Sequence, residues 1–455
     1  MGRPPLWVCD GGGDVMLDRK RFREWVRATG LYAAALAKWI LLSVVVGGLC
    51  GAVGAVFHQS VHYAAQARTA YPWLLWCLPL AGLAIVGAYK LMGTEGMGTN
   101  DIIDAVHDDK QLPAALLPSI FLGTLLTHLC GGSAGREGAA LQIGGTLGQR
   151  VGRLLRLDDQ DLRVATLSGM AACFSALFGT PLTAVIFAVM GISIGALYHT
   201  ALLPCLMSAL AAFGVSLALG VEPTRFSVAA PEIGVSIFLR VLLLSVLFAL
   251  VSILFCNFIH VTEHWMQRLI ANPWLRVAAG GFAIIILTYL VRTRDYNGAG
   301  MEVIAAAIEQ GTAHPTAFLL KLLFTAVTLA AGFKGGEVVP SFFVGATFGC
   351  VAAPLVGLPA GFGAALGLVS VFCGATNCPV ASVFLSVELF GANGLWYFAL
   401  ACGISYMLSG YSGLYSSQTI LYSKLKARYI NVHANSHPAA PGEEAREKSE
   451  AAERT

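Results

Sequence analysis

The sequence predicts a polytopic all-α membrane protein made of two homologous halves with short, broken and re-entrant helices. Three observations predict it: the composition, a series of apolar runs of membrane-spanning length, and motifs that recur about 200 residues apart. Of the 455 residues, 56% are hydrophobic and 12% are charged, with 51 glycines and a mean hydropathy of +0.70. This balance is typical of a chain that lies in lipid, and it excludes an ordinary soluble enzyme.

Apolar runs long enough to cross a bilayer follow one another along the chain. They occupy residues 31–57, 73–91, 116–129, 182–211, 237–258, 277–291, 317–333 and 394–408. Other apolar runs are short and interrupted by Gly or Pro. A membrane tolerates such breaks only where the backbone is buried in protein or lines a cavity. We therefore expect discontinuous helices around a polar pathway.

Basic residues flank the first and last spans, which predicts that both termini are cytoplasmic. The flanking residues are Arg19, Lys20, Arg21, Arg23, Arg27, Lys424, Lys426 and Arg428. They also account for the net charge of +3 without a nucleic-acid partner. Residues 1–30 lack the pattern of a cleaved signal peptide, and the sequence leaves open whether translation starts at Met1 or Met16.

We divide the chain into four parts by composition and repetition. Residues 1–30 form a cytoplasmic N-terminal segment, 31–222 the first membrane half, and 223–432 the second half with a final helix. Residues 433–455 form a cytoplasmic tail, predicted to be disordered because it contains almost no bulky apolar residue. The eleven cysteines are scattered without CxxC spacing and the ten histidines without paired spacing, so we assign neither metal nor cofactor.

Three pairs of motifs recur in the same order. Residues 96–105 match 298–306, and 178–187 match 375–384. Between them, the Glu of Gly135-Arg136-Glu137-Gly138 and that of Gly335-Gly336-Glu337-Val338 are 200 residues apart. Secondary transporters with such halves place their site at the repeat interface, on discontinuous helix ends near the membrane midplane.

Glu137 is the first candidate for function. It lies in a glycine-rich break between two apolar runs, and an ionised carboxylate at membrane depth costs about 2.5 to 3.5 kcal/mol. The glycine-rich run indicates free backbone N–H groups at a helix N-terminus, where a carboxylate can occupy an anion's place. The alternative is structural: Glu137 complements its helix dipole or pairs with Arg136.

These motifs resemble the CLC family of chloride channels and anion/proton antiporters over about residues 31–430. The resemblance rests on Gly-Arg-Glu-Gly at 135–138, the loops at 96–101 and 335–340, and Tyr415 before a final short helix. Within the family the chain is most similar to the bacterial fluoride/proton antiporter branch, because of Gly96-Met97-Gly98-Thr99-Asn100 and Gly336-Glu337-Val338.

The resemblance implies a CLC-like inverted repeat that exports fluoride from the cytoplasm in exchange for protons, across the inner (plasma) membrane, as a homodimer. The alternatives are a chloride/proton antiporter or a passive chloride channel of the same fold, and a nonconducting membrane scaffold or sensor. The apolar segments 182–211 and 378–408 are the candidates for the dimer face. The partners are then fluoride and protons, with chloride as the rival anion, and the lipid bilayer.

The resemblance also implies the site. Glu137 gates the pathway and couples protons, and Glu337 is a candidate proton or fluoride relay. The anion lies among Met97, Gly98, Thr99, Asn100, Gly135, Arg136, Gly138, Val338, Val339 and Tyr415. Structural alternatives stay open: helix termination for Glu337, packing for Met97 and an interfacial aromatic role for Tyr415. Glu302 and Glu388 are expected to be structural.

Two departures from the family pattern matter. Val339 stands where the fluoride branch has a threonine, which removes a hydroxyl. The first half ends its proline motif in Val189-Met190-Gly191, where chloride/proton exchangers have an internal glutamate. The internal proton route of those exchangers is therefore missing its carboxylate here.

Overall fold

The computed structural model describes residues 7–9, 15–17, 19–108, 110–426 and 428–436, which form sixteen α-helices and five short strands. The first eight helices are α1 (Arg19–Ala70), α2 (Leu78–Leu91), α3 (Thr99–His107), α4 (Leu116–Cys130), α5 (Glu137–Leu154), α6 (Asp159–Phe178), α7 (Pro181–Met190) and α8 (His199–Ala218). The other eight are α9 (Val235–Leu269), α10 (Pro273–Val291), α11 (Met301–Ala305), α12 (Ala317–Ala331), α13 (Val338–Ala352), α14 (Ala360–Thr376), α15 (Pro379–Phe390) and α16 (Leu395–Leu408).

Short elements complete the fold. They are the 3-10 helices Pro72–Cys77 and Ala353–Val356, the π-helix Ala306–Gln310, and the strands β1 (Trp7–Cys9), β2 (Val15–Leu17), β3 (Ser193–Ile194), β4 (Thr419–Tyr422) and β5 (Tyr429–His433). β1 pairs with β2 in antiparallel register. β4 pairs in parallel with β3 and in antiparallel with β5, and so ties the end of the second half to the first half.

The helices of the two halves correspond in order, from α1 with α9 to α8 with α16. The same local chemistry ends corresponding helices. α4 ends at Gly131 (φ 91°) and α12 at Gly332 (φ 107°), left-handed positions that glycine adopts without a side-chain clash. α7 and α15 each begin with a proline, which follows Thr180 and Cys378 respectively. The first N–H groups of a helix have no partner within the helix, so a proline there costs no hydrogen bond.

Within the described part of the chain, seven helices are long and apolar enough to cross a membrane. The remaining apolar helices have 10–17 residues, which agrees with the broken helices that the sequence predicts. α1 begins at Arg19 and ends at Ala70, so it is longer than its predicted span at 31–57. Hydropathy marks only the apolar part of such a helix, and its polar ends continue the same backbone.

The core forms where α5 packs on α6 and, in the second half, α13 packs on α14. Glycines face each other across both contacts: a Cβ at Gly144 would collide with the Gly169 carbonyl, and one at Gly345 with the Gly367 carbonyl. Small residues thus bring the helix backbones close together, as in other membrane helix pairs. Ten cysteines of the described residues are free, and all but Cys77 are buried, as the sequence predicts for small hydrophobes.

The predicted final helix after Tyr415 is wrong. The described residues there form a turn, β4 and β5, because 419–422 pairs with β3 from the first half. Strand pairing across the halves is a long-range contact that local sequence does not reveal. The predicted boundary at residue 222 falls in the segment between α8 and α9, which has neither helix nor strand. Of the predicted tail, residues 437–455 lie outside the described residues.

Candidate functional site

The two glycine-rich loops meet at the centre of the molecule. The Gly135 N–H donates to the Gly336 carbonyl (2.7 Å), and the Gly336 N–H donates to the Gly135 carbonyl (2.8 Å). This antiparallel pair brings the N-termini of α5 and α13 together. The positive ends of both helix dipoles therefore face one region, as the sequence predicts for opposed helix ends.

The pairing corrects the predicted register of the repeat in these loops. Gly135 pairs with Gly336, and the two residues are 201 positions apart in the chain. Gly131 and Gly332, which end the equivalent helices α4 and α12, are separated by the same 201 positions. Glu337 therefore corresponds to Arg136, since each immediately precedes its helix. The predicted match of Glu137 with Glu337 is wrong by one residue. It rested on the shared glutamate, whereas the backbone hydrogen bonds fix the register.

Glu137 reaches across the interface of the two halves. Its side chain is completely buried, and its Oε2 accepts a hydrogen bond from the Val339 N–H (3.2 Å) at the start of α13. Its Oε1 is buried without a hydrogen-bond partner among the described residues. The carboxylate thus occupies the anion position at the opposing helix N-terminus. No ion pair joins it to Arg136 in the described part of the chain, although the two charges interact.

The missing side chains of two glycines make this close approach possible. A Cβ at Gly135 would collide with the Glu137 carboxylate. A Cβ at Gly336 would lie 2.6 Å from the backbone nitrogen of Gly138. Gly138 itself lies against Thr99, whose Oγ1 would be 3.1 Å from a Cβ there. A larger residue at position 336 would therefore push the two helix ends apart.

Two predicted anion ligands on the Gly96 loop are already engaged. The Gly98 N–H donates to the Asp101 carboxylate (2.8 Å), which caps α3 and fills the anion position of that helix. The Asn100 amide donates to Ser416 Oγ (3.0 Å) and its oxygen accepts from the Ser417 N–H (3.3 Å). Both contacts hold the loop in place and use the Gly98 N–H and one of the two Asn100 amide hydrogens.

Met97 and Thr99, the other two predicted anion ligands on this loop, contact residues in or next to the paired glycine-rich loops. Met97 is partly buried against the core, and its carbonyl accepts a hydrogen bond from Lys334 Nζ (3.3 Å). Thr99 Oγ1 accepts from Gln142 Nε2 (3.3 Å) beside Gly138. The Met97 thioether offers no donor, so this wall of the site is apolar.

Tyr415 supplies an unused donor. The residue is 3% exposed, and its hydroxyl has no hydrogen-bond partner among the described residues. It interacts electrostatically with both Glu337 and Glu137, and its ring meets the edge of Phe187 with centroids 6.5 Å apart. The Leu414 N–H bonds the Ala375 carbonyl (2.8 Å) and fixes the loop that carries the hydroxyl.

Glu337 and Arg136 have different surroundings. The Glu337 side chain is half-buried and interacts electrostatically with Glu263 and Tyr415. Arg136 lines a cavity of about 1180 Å³. Three arginines line it, Arg68, Arg136 and Arg294, together with the carboxylates of Asp295 and Glu302. The small excess of cationic side chains beside the buried Glu137 is suited to an anion that enters or leaves.

Sequence analysis missed the residues that hold the loops in place. Lys321, fully buried in α12, donates to the carbonyls of Tyr296 (3.2 Å) and Gly298 (2.6 Å). Asn297 Nδ2 in the same loop donates to the Gly131 carbonyl (2.7 Å). A lone lysine inside an apolar run was a detectable signal, because an intramembrane charge is expensive. The sequence contains no comparable signal for Asn297, because its partner Gly131 is 166 residues away in the chain.

The site therefore combines weak donors with one buried charge. The donors are the N–H groups at the start of α13 and the Tyr415 hydroxyl, and Pro340 removes one N–H from that helix end. Such donors replace part of an anion's hydration without the full charge that would prevent its release. The Glu137 carboxylate can compete with an anion for the Val339 N–H.

Comparison with known proteins agrees with this architecture. A sequence model of the family described as voltage gated chloride channel matches residues 81–410. A chloride/fluoride channel protein of Pseudomonas syringae pv. tomato is 38% identical over 86% of this chain and 88% of its own length. The H(+)/Cl(-) exchange transporter ClcA of Vibrio cholerae serotype O1 is 26% identical, over 77% of this chain and 81% of its own.

Solved structures show the same fold. The crystal structure of a CLC-type fluoride/proton antiporter superposes with a TM-score of 0.81 at 35% identity, over 85% of this chain and 98% of that one. A slow cyanobacterial Cl⁻/H⁺ antiporter superposes with a TM-score of 0.70 at 19% identity, over 82% of this chain and 94% of that one, which supports the fold alone. The chain belongs to the CLC family.

Proposed function

We propose that this chain exports fluoride from the cytoplasm and takes up protons in exchange. Two similar proteins carry fluoride in their names: the 38% identical chloride/fluoride channel protein and the structurally similar CLC-type fluoride/proton antiporter. An inward proton gradient can expel fluoride that has entered an acidified cell as hydrogen fluoride and dissociated there.

The observation that carries the proposal is the position of the Glu137 carboxylate. It is buried, it accepts the Val339 N–H at 3.2 Å, and its second oxygen has no partner in the described residues. Ionised, the carboxylate holds the anion position closed. Protonated, it no longer competes for the N–H, so it leaves and an anion takes its place. One titrating group thereby couples proton uptake to anion release.

The surroundings favour a small, strongly accepting anion. The Val339 N–H and the Tyr415 hydroxyl are candidate donors to the anion. Met97 makes the Gly96 loop apolar at a position where a serine hydroxyl would make the site more tolerant of chloride. The hydroxyl lost with valine at position 339 does not remove the donor seen here, since the contact to Glu137 uses the backbone N–H. We assign the anion site to Met97, Thr99, Gly138, Val338, Val339 and Tyr415, with Gly135 and Arg136 as its frame.

Chloride/proton exchange is the second candidate. The valine at 339 favours it, because it departs from the fluoride branch, and so do the relatives named as H(+)/Cl(-) exchange transporters. A passive chloride channel is the weaker form of this alternative, since the buried Glu137 blocks the position that a channel would keep open.

We further propose a homodimer in the inner (plasma) membrane, with one pathway in each subunit, halves at 31–222 and 223–432, and both termini in the cytoplasm. Exposed apolar side chains on α7, α8 and α15 support a protein-facing surface, among them Leu182, Leu203, Leu210, Val380 and Phe384. Purified protein that remains monomeric at working concentration, by crosslinking or mass photometry, would contradict the dimer.

Efflux from liposomes tests the transport proposal. Vesicles with purified protein are loaded with fluoride or with chloride, and anion release and proton uptake are recorded together. We expect fluoride release well above chloride release, with simultaneous proton uptake. Equal or faster chloride release with proton uptake supports the exchanger of the second candidate. Anion release without proton movement supports the channel, and no release of either anion contradicts transport altogether.

A further inference from the structure

The proton needs a route between the transport site and the membrane face on which the Gly96 loop lies. The internal glutamate of chloride/proton exchangers is absent, because α7 ends in Val189 and Met190. Glu337 interacts electrostatically with Tyr415 at the site and with Glu263 of α9. A different element must supply the connection.

One face of α9 carries polar and titratable side chains at helical spacing. Cys256, His260, Glu263 and Gln267 follow one another at intervals of four, three and four residues. Side chains at these intervals lie on the same face, about 5 to 6 Å apart at Cβ. We call these four residues the α9 stripe. It runs from the fully buried Cys256 through the partly buried His260 to the exposed Glu263 and Gln267.

The buried end of the stripe lies at the transport site. Cys256 interacts electrostatically with Glu337 and with Tyr415, and its Sγ lies 3.9 Å from the Ala375 carbonyl. The Ala375 carbonyl also accepts the Leu414 N–H, next to Tyr415. The stripe therefore begins among the groups that surround the anion.

His260 occupies the middle of the stripe and contacts the same loop. Its Nε2 lies 2.9 Å from the carbonyl of Gly413, two residues before Tyr415, with Asn435 Nδ2 at 3.2 Å from the same nitrogen. When Nε2 donates its hydrogen to that carbonyl, Nδ1 is the ring nitrogen left to accept a proton. An imidazole can accept a proton and then release one, which is the property that a relay between two carboxyl groups requires.

The exposed end of the stripe is coupled back to the site by charge. Glu263 interacts electrostatically with Glu337 and with Lys334, and it accepts a hydrogen bond from Gln267 Nε2 (3.0 Å). Lys334 Nζ also bonds the Met97 carbonyl (3.3 Å) and lies 4.4 Å from the ring centroid of Tyr89. Lys334 and, near Cys256, Lys424 are the cations that face this region.

We propose that the α9 stripe carries the transported proton, through His260 and Glu263, between Glu337 and the membrane face of the Gly96 loop. The inference rests on the proposed proton coupling. In the outward-to-inward direction the Glu337 carboxyl O–H passes its proton, directly or through water, to His260 Nδ1. The imidazolium then gives one proton to the Glu263 carboxylate, which releases it to bulk water. Each transfer breaks one O–H or N–H bond and forms another, and no other bond changes.

The test measures proton uptake driven by a fluoride gradient in liposomes, with fluoride release recorded at the same time. The variants are Glu263→Gln and His260→Gln, which cannot titrate. Glutamine at 260 keeps an N–H donor for the Gly413 carbonyl, so it preserves the Tyr415 loop. The matched control is Glu95→Gln, an exposed carboxylate two residues before Met97 and outside the stripe. Glu263→Asp is the rescue variant.

We expect each glutamine variant to lower proton uptake by at least about tenfold while fluoride release continues, because Glu137 still titrates from the other side. Glu95→Gln and Glu263→Asp should couple protons like the parent. Parent-like proton uptake in both glutamine variants overturns the route, as does an equal loss of fluoride and proton flux that Glu263→Asp does not restore. A parent that moves fluoride without protons would instead contradict the proposed function itself.

Discussion

Glu337 and Arg136 occupy equivalent positions in the two halves, each as the residue that immediately precedes its helix. The backbone has the same arrangement at these two positions, but the side chains carry opposite charges. Arg136 lines the cavity of about 1180 Å³, and Glu337 interacts with Tyr415 and Glu263. The pseudo-symmetric pair thus places a fixed cation at the start of α5 and a carboxyl group at the start of α13.

The position of Glu337 predicts a role in the transport cycle. Glu337→Gln keeps a hydrogen-bond donor but cannot exchange protons, so coupled fluoride export should fall while fluoride binding persists. Glu337→Ala loses both properties and should lower binding and export together. Isothermal titration with fluoride and the liposome assay measure the two quantities separately. Parent-like export and proton uptake in both variants would leave Glu337 as a helix-terminal carboxylate only.

Met97 is predicted to set anion preference. Its thioether cannot donate a hydrogen bond, and the Met97→Ser variant places a hydroxyl on the same loop. The ratio of fluoride to chloride release should decrease, because the added donor compensates for chloride's lost hydration. Met97→Leu is the control of similar volume, and its ratio should stay near that of the parent. An unchanged ratio in Met97→Ser would assign Met97 to packing.

Much of this architecture was predictable from the sequence because it depends on local patterns. Composition and hydropathy indicate spanning helices, and the glycine-rich breaks at 131–138 and 335–340 indicate two opposed helix N-termini. The order of the recurring motifs indicates two halves. Glu137 was predictable because a carboxylate in an apolar frame has few structural explanations.

The remainder depends on contacts between distant parts of the chain. The one-residue error in matching Glu137 with Glu337 arose because identical residues suggested a register that the Gly135–Gly336 hydrogen bonds contradict. The strand at 419–422 forms only because residues 193–194 lie beside it. Gly98 was expected to bind an anion, but the Asp101 carboxylate caps its N–H first.

The contact of the two loops predicts the effect of Gly336→Ala. The new Cβ would lie 2.6 Å from the Gly138 nitrogen, and backbone on both sides prevents it from moving away. Overpacking of this kind costs about 1 to 3 kcal/mol, so thermal unfolding in detergent should occur at a lower temperature. Gly48→Ala is the control, since no atom lies within 4 Å of a Cβ there. Equal unfolding temperatures for both variants would contradict the close approach.

Replacing Glu388 is expected to lower the stability of the protein without changing its preference between fluoride and chloride. Its carboxylate accepts the N–H groups of Leu182 and Thr183 (both 2.9 Å) and the Thr183 hydroxyl (2.5 Å), and so caps α7 from α15. Glu388→Ala leaves these donors unpaired and should lower the free energy of unfolding by about 1 to 3 kcal/mol. Glu388→Gln keeps one acceptor and should have a smaller effect. A shift in the fluoride-to-chloride ratio would indicate a transport role instead.

In the proposed mechanism, the Glu137 carboxylate both blocks the anion position and carries the coupling proton. Glu137→Gln keeps the shape of the side chain but cannot titrate. The direct measurement is proton uptake driven by a fluoride gradient in liposomes that contain this variant, with its folding checked by size-exclusion chromatography. We expect a folded protein in which anion movement no longer drives proton uptake. Proton uptake equal to that of the parent would contradict it.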